Sequence, residues 1–345
     1  MSKIFICGEG AVSPAGWGMA AFREALACGE PLPAKDLARP GATHPLRMRS
    51  VPAATPRPAF VGHARLRRTS PIAHYAVAAA LEALGLDAAR VADGSLRLGI
   101  VVCAMSGCVN YSRRFYDETL KNPATASPVV FPETVFNAPA SHLASLLGTT
   151  AINYTLVGDP GVVLQGLALA ADWLLSGRID GCLVVGAEEM DWLTAEAVTL
   201  FASRAQISDG AGALYLRRDP AGGYSIELAA VTDCYSFSND QSRAKAARRA
   251  RNVLKSDEAT ELLCDGLQGV PPLDRDEAAA WQDWPGKRLS VKTVLGEGLM
   301  AAAAWQCLAA VDSLRQNKFS SAIVSVVGCN QQAVAARFVR SSALC

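Results

Sequence analysis

Apolar residues gather along the chain in short uninterrupted runs, and each run predicts an element buried on most of its faces. Residues 3 to 7 (KIFIC) predict a first strand that ends at Gly8, and LRLGIVV (96 to 102) predicts a second, buried strand. Between them, residues 31 to 58 are rich in proline and arginine without periodicity and predict an irregular surface segment. Order resumes at Thr69. Ser70 as a cap and Pro71 in the first turn open a buried helix, IAHYAVAAALEALG, which Gly85 closes.

An internal echo indicates the architecture. The helical run ending ADWLLSG leads through a polar turn into the strand CLVVGAEE (182 to 189). About 140 residues later, a run ending AVDSLRQN leads into AIVSVVGCNQ (322 to 331). Each copy has a helix, a stop at Gly177 or Asn317 suited to the left-handed cap, an apolar strand, and a strand-ending Gly186 or Gly328. Two related α/β halves follow, divided here as residues 1–217 and 218–345.

Composition narrows the class. With 345 residues, half of them apolar, the chain can bury a core of about two domains. A net charge of +1 with 19% charged residues gives no overall attraction to nucleic acid or to an anionic membrane. No predominantly apolar run reaches the length of a membrane span, and the apolar stretch at the N-terminus is too short for a secretion signal. The ten cysteines form no CxxC pair or Cys/His cluster, and Cys7, Cys103, Cys182 and Cys307 sit in apolar runs. Buried thiols in a reducing cytoplasm are expected, without disulfides or a metal site.

Five strings then carry a resemblance: GEGAVSPAG (8 to 16), NYTLVGDPG (153 to 161), GAEE (186 to 189), SDGAGALYL (208 to 216) and SVKTVLGEG (290 to 298). In this order and spacing they resemble the landmarks of beta-ketoacyl synthases over nearly the whole chain. The resemblance implies the thiolase-like fold, a duplicated five-layered α/β/α/β/α arrangement whose dimers share a continuous sheet. It also implies a shortened chain, chiefly in the C-terminal half. Such enzymes use a cysteine nucleophile, two histidines and a lysine. Where the family cysteine stands, after INYTL, this chain has Pro160; the family histidines align with Asp265 and Glu297, and Lys292 alone is retained. Asp159 and Pro160 still suit a helix start, as N-cap and first-turn residue. The four histidines, His44, His63, His74 and His142, all lie outside the C-terminal half. Ordinary condensation therefore lacks both nucleophile and base, and Lys292 reads either as neutralised by Glu297 or Asp265 in a self-satisfied polar cluster or as keeping some residual chemistry.

Among families of this fold, the lost cysteine is most similar to that of chain length factors. These non-catalytic subunits pair with an active ketosynthase in polyketide or fatty-acyl chain extension and shape its product tunnel. The resemblance implies a heterodimer, an acyl chain presented on the phosphopantetheine of an acyl carrier protein, and no cofactor of the chain's own. The stretch 126 to 148 is similar to the ketosynthase segment that crosses the dimer interface, most of all to partner subunits of aryl polyene systems. Phe131, Val135 and Phe136 are its candidates for the partner's pocket. Tyr111, Phe115 and Tyr116, at near-helical spacing, read either as the gate at the tunnel end or as ordinary core or dimer packing. RAKAARRARNVLK (243 to 255), with six basic residues and no acid, reads either as a carrier-protein dock through Arg243, Lys245, Arg248, Arg249 and Arg251 or as a solvated face. Arg65, Arg67 and Arg68 share that ambiguity. His142 reads as packing, and Glu188 and Glu189 as partners for backbone or interface groups. Two rival functions stay open: an acyltransferase with an unconventional site, for which Cys103 and Cys108 are the thiols nearest a strand end, and an acyl-binding homodimeric scaffold.

Overall fold

A computed structural model describes residues 3–202, 204–220, 225–254 and 260–341. The first half supplies strands β1 (Phe5–Ser13), β2 (Leu98–Ala104), β3 (Asn153–Val157), β4 (Gly181–Glu188) and β5 (Gly210–Arg217). The second supplies β6 (Ser225–Val231), β7 (Glu261–Asp265), β8 (Lys287–Ser290), β9 (Ser321–Val327) and β10 (Gln332–Ser341). They join in the order β8-β7-β9-β10-β6-β1-β5-β4-β2-β3. Each half places three parallel strands outermost, β3-β2-β4 or β8-β7-β9, and two antiparallel strands inside them. The halves meet where β1 pairs with β6, Phe5 opposite Glu227.

Besides a six-residue helix at Asp87–Ala92, the helices are α1 (Met19–Cys28), α2 (Pro71–Leu84), α3 (Val109–Lys121), α4 (Ala138–Leu147), α5 (Val162–Leu175), α6 (Trp192–Phe201), α7 (Asp240–Val253), α8 (Pro271–Ala280), α9 (Val291–Leu295) and α10 (Met300–Arg315). Strand alternation sorts them into layers. Val101, Cys103 and Val184 of the first half and Cys264, Val324 and Ala336 of the second face a shared middle layer of α5 and α10. The opposite face of the first half, Ile100, Val102 and Leu183, carries α2 and α4; Leu263, Ile323 and Ala335 of the second face the α7 side. The expected five-layered α/β arrangement is present. Every residue of α10 from Met300 to Leu314 is buried, as its largely apolar sequence, interrupted only by Gln306, Asp312 and Ser313, suits a helix covered on all sides. Glycines let it approach the sheet: a Cβ on Gly186 would lie 2.4 Å from the Met300 carbonyl oxygen. Among the described residues no helix is long and apolar enough to cross a membrane.

Several boundaries depart from expectation. β1 does not stop at Gly8 but runs to Ser13. Gly8 and Gly10 are there because α2 lies on them, the carbonyls of Ala83 and Ala79 occupying the space of a Cβ. Gly186 likewise sits inside β4 rather than ending it. The segment 31 to 58 holds two short strands, Lys35–Leu37 and Leu46–Arg49, joined to Ile207–Ser208 in a small second sheet. Ser70 precedes α2 without capping it: its hydroxyl donates to Glu189 at 2.5 Å, and the Glu189 carboxylate itself accepts from Ile72 N at the helix start. Cys7 is half-buried rather than buried, while Cys103, Cys182 and Cys307 are in the core. Gly177 and Asn317 do end their helices with positive φ, 70° and 58°.

Candidate functional site

The turn from β3 to α5 brings Pro160 to the helix entrance. Val162 N donates to the Asp159 carbonyl (2.9 Å) and Val163 N to the Pro160 carbonyl (3.2 Å), so the entrance keeps its backbone bonds while presenting an imino ring. The expectation that the Asp159 side chain caps α5 is not met. Its carboxylate instead turns to the loop between β9 and β10 and accepts from the N–H groups of Asn330, Gln331 and Gln332.

Opposite this entrance a short segment of the second half forms a buried ion pair. Lys292, in α9, donates from Nζ to Glu297 Oε2 at 2.7 Å, with both side chains about 95% buried. Gln268 Nε2 donates to the same oxygen (2.9 Å) and Leu299 N to Oε1 (2.9 Å). Burial alone would lower the Lys292 ammonium, but the charge and hydrogen bond of Glu297 outweigh it and hold the group above the ordinary lysine range. Asp265, the last residue of β7, takes no part in neutralising Lys292: it accepts from the Ser290 hydroxyl and Leu267 N, with Arg288 at 3.9 Å.

A third carboxylate escaped the sequence reading. Glu277 of α8 is buried, accepts from Gly266 N (3.1 Å) and Ser325 Oγ (2.6 Å), and is pushed up to about 7 by burial and by the Asp265 charge. Its signal in the sequence is faint: Glu277 shares one helix face with Ala280 and Trp281, both buried. Lys292, Glu297, Glu277 and Gln268 line a cavity of about 580 Å³ together with Cys329 and Arg243, so the ion pair and the loop over Asp159 border one space. Cys329 is the second residue missed. It is exposed as a residue, but its thiol donates to Asp159 Oδ1 (3.5 Å), and the crowding around the sulfur, followed by the Asp159 charge, pushes it up.

The expected tunnel residues gather elsewhere. Tyr111, Phe115 and Tyr116 lie on α3, where Phe115 tilts against Phe131 at 5.4 Å between ring centres and Tyr116 is exposed. Phe131, Val135 and Phe136 are exposed in the segment before α4, and Tyr154 and Val157 are exposed on the open edge strand β3. None of these six borders the 580 Å³ cavity. Tyr111 instead shares a space of about 310 Å³ with Arg68 and Arg114. A neighbouring space of about 510 Å³ is rimmed by Arg65, Arg67, Arg68 and the His142–Glu133 pair (2.8 Å).

The basic residues of α7 divide into two groups. Arg243 donates to the Leu273 carbonyl (3.2 Å), and Arg251 donates to the Ala280 carbonyl (2.9 Å) and pairs with Asp283. Lys245, Arg248 and Arg249 face solvent, Arg249 over the Tyr235 ring at 4.6 Å; Lys255 lies outside the described residues. Glu188 and Glu189 are buried structural anchors. Glu188 accepts from Met105 N and Ser106 N, and Glu189 from Ser70, Ile72 N and Asn110 N at the starts of α2 and α3. Cys103 and Cys108 are buried, and burial raises both thiols far from reactivity.

A family model described as "Beta-ketoacyl synthase, N-terminal domain" matches residues 1–219. No curated protein matches the chain. Similar solved structures include "The ishigamide ketosynthase/chain length factor", 22% identical with a TM-score of 0.76 over 97% of this chain and 99% of that one. A beta-ketoacyl synthase from Burkholderia phymatum STM815 is 16% identical, with a TM-score of 0.80 over 99% and 100%. A ketosynthase (ApeO) in complex with its chain length factor (ApeC) from Xenorhabdus doucetiae is 15% identical, with a TM-score of 0.76 over 99% and 98%.

Proposed function

Because the chain belongs to the beta-ketoacyl synthase family, we propose that it is the non-catalytic, chain-length-factor-like subunit of a heterodimer whose other member is an active ketosynthase. The observation that carries this reading is the helix entrance at Pro160, which keeps its backbone bonds and has no nucleophile. No histidine stands in the second half to act as base, and the retained Lys292 is bound to Glu297. Of the thiols nearest a strand end or the cavity, Cys103 and Cys108 are buried in the core, and Cys329 donates to Asp159.

A partner surface supports the pairing. β3 is an edge strand whose outer backbone has no neighbour among the described residues, and such an edge is a template for a strand of another chain. Tyr154 and Val157 of this strand are exposed, one on each face of the sheet, and Phe131, Val135 and Phe136 before α4 are exposed as well, so apolar side chains are available to a partner here. For an acyl carrier protein, the arginines at 65, 67 and 68 suit docking better than α7. They are exposed, and no ion pair among the described residues engages them, whereas Arg243 and Arg251 are spent on carbonyls and acids of their own chain. The role is tested by reconstituting malonyl-dependent extension on a carrier protein with a candidate ketosynthase. Extension should require both chains, and this chain alone should give none. Stoichiometric acylation of this chain by a carrier-protein thioester would overturn the reading.

A further inference from the structure

Three consecutive main-chain N–H groups, those of Asn330, Gln331 and Gln332, converge on the Asp159 carboxylate at 3.3, 3.1 and 3.0 Å. The Cys329 thiol adds a fourth donor at 3.5 Å. A run of backbone donors aimed at one point is an anion-binding nest. The loop is shaped for this occupant: a Cβ on Gly328 would lie 1.7 Å from Asp159 Oδ2, so a side chain there would drive the loop off the carboxylate. Asp159 is buried, and among the described residues no ion pair reaches it, so dipoles alone hold its charge. The nearby N-terminus of α5 has the favourable sign.

The nest lies beside the position of the missing nucleophile. In acyl transfer, donors so placed stabilise the oxyanion that develops on the attacked carbonyl. Pro160 contributes none, since it has no N–H. We propose that Asp159 is a built-in anion: it fills the nest, pins residues 328 to 332 over the helix entrance, and closes the site to an external carboxylate or thioester oxyanion. The inference deepens the non-catalytic reading of this site and rests on it. The chain then differs from a working synthase by more than its lost side chains, because the donors that remain are already occupied. Cys329 belongs to the same device, as a fourth donor that borders the cavity.

The test uses the full chain in its natural assembly, with Asp159→Ala and Asp159→Asn variants and sodium acetate as the probe. Acetate should shift the amide resonances of 330 to 332 saturably in D159A and leave them unmoved in the native chain. A folded D159A whose amides ignore acetate would overturn the proposal, as would acetate binding at the same amides of the native protein. Should D159A fail to fold, D159N decides, because it keeps an acceptor oxygen and removes the charge. Amides 330 to 332 should then exchange with solvent about tenfold faster than in the native chain, the consequence of weakening charge-assisted bonds. Unchanged exchange would overturn it. Neither readout involves chain extension, so failure here leaves the partner role standing, and acyl transfer onto this chain would sink that role without touching the acetate result.

Discussion

Lys292 Nζ lies 2.7 Å from Glu297 Oε2, and both side chains of the pair are buried. A carboxylate at a position where the resemblance places a histidine neutralises the one retained member of the catalytic set. On the proposed non-catalytic reading, this pair stands where a working synthase would keep its acid–base group. The Gln268 amide and Leu299 N–H complete the hydrogen bonding of Glu297.

Removing one side of such a pair strands the other. Glu297→Ala should cost about 3–5 kcal/mol, because Lys292 is left charged without a partner in a buried site. Replacing both by apolar residues of similar size, Lys292→Met with Glu297→Leu, should restore stability to within about 1 kcal/mol of the native chain. Urea denaturation of the three proteins checks both values, and a loss below about 1 kcal/mol for E297A would mean that the pair is solvated.

Restoring the sulfur should not restore the reaction. Pro160→Cys supplies a thiol at the helix entrance but leaves Asp265 and Glu297 where bases are needed, and general acid–base help is worth about 10²- to 10⁴-fold. Malonyl-dependent extension by the P160C chain without a partner ketosynthase should stay at background in a carrier-protein assay.

Charge on the apolar face should separate association from folding. Val135→Glu and Val157→Lys each place a charge on a residue exposed in the single chain, 39% and 53% respectively. Stability of the chain should change by about 0.5 kcal/mol or less. Affinity for the ketosynthase should fall about tenfold or more, equivalent to about 1.4 kcal/mol. Equal affinity for native and V157K chains would remove the β3 edge from the interface.

Glu277 gives the pH dependence a sign. Burial raises its folded pKa from 4.5 to about 7. The folded chain therefore holds a proton that the unfolded chain has released across this window. The associated stability is complete below pH 4.5 and is lost as pH climbs to about 7. Within the window the slope approaches about 1.4 kcal/mol per pH unit for one proton. Glu277→Gln keeps an acceptor for Gly266 N and Ser325 Oγ and should flatten the decline measured by denaturation between pH 5 and pH 7.

The echoed helix–turn–strand units were legible because burial on both faces leaves continuous apolar runs, and left-handed caps at Gly177 and Asn317 mark the helix ends. The role of the glycines was not. Gly8 and Gly186 look like strand ends in one dimension, and only the packing of α2 and α10 against them reveals close approach. The Lys292–Glu297 pair was foreseeable from two residues five apart, one a cation and the other its natural counter-ion. Asp159 was misread as a cap because its true partners are 171 to 173 residues away, and no local pattern encodes a loop that returns from the other half. Glu277 and Cys329 were missed for the same reason, each being placed by the tertiary approach of strands from distant sequence.

The central claim is that this chain completes a ketosynthase without being one. The most direct measurement is the solution mass, by light scattering after size-exclusion chromatography, of the 36.2 kDa chain co-expressed with a candidate active ketosynthase. One copy of each chain, held through an interface beyond about 2,000 Å², is the expected result. A monomer, or a homodimer that does not exchange subunits with the ketosynthase, would contradict it.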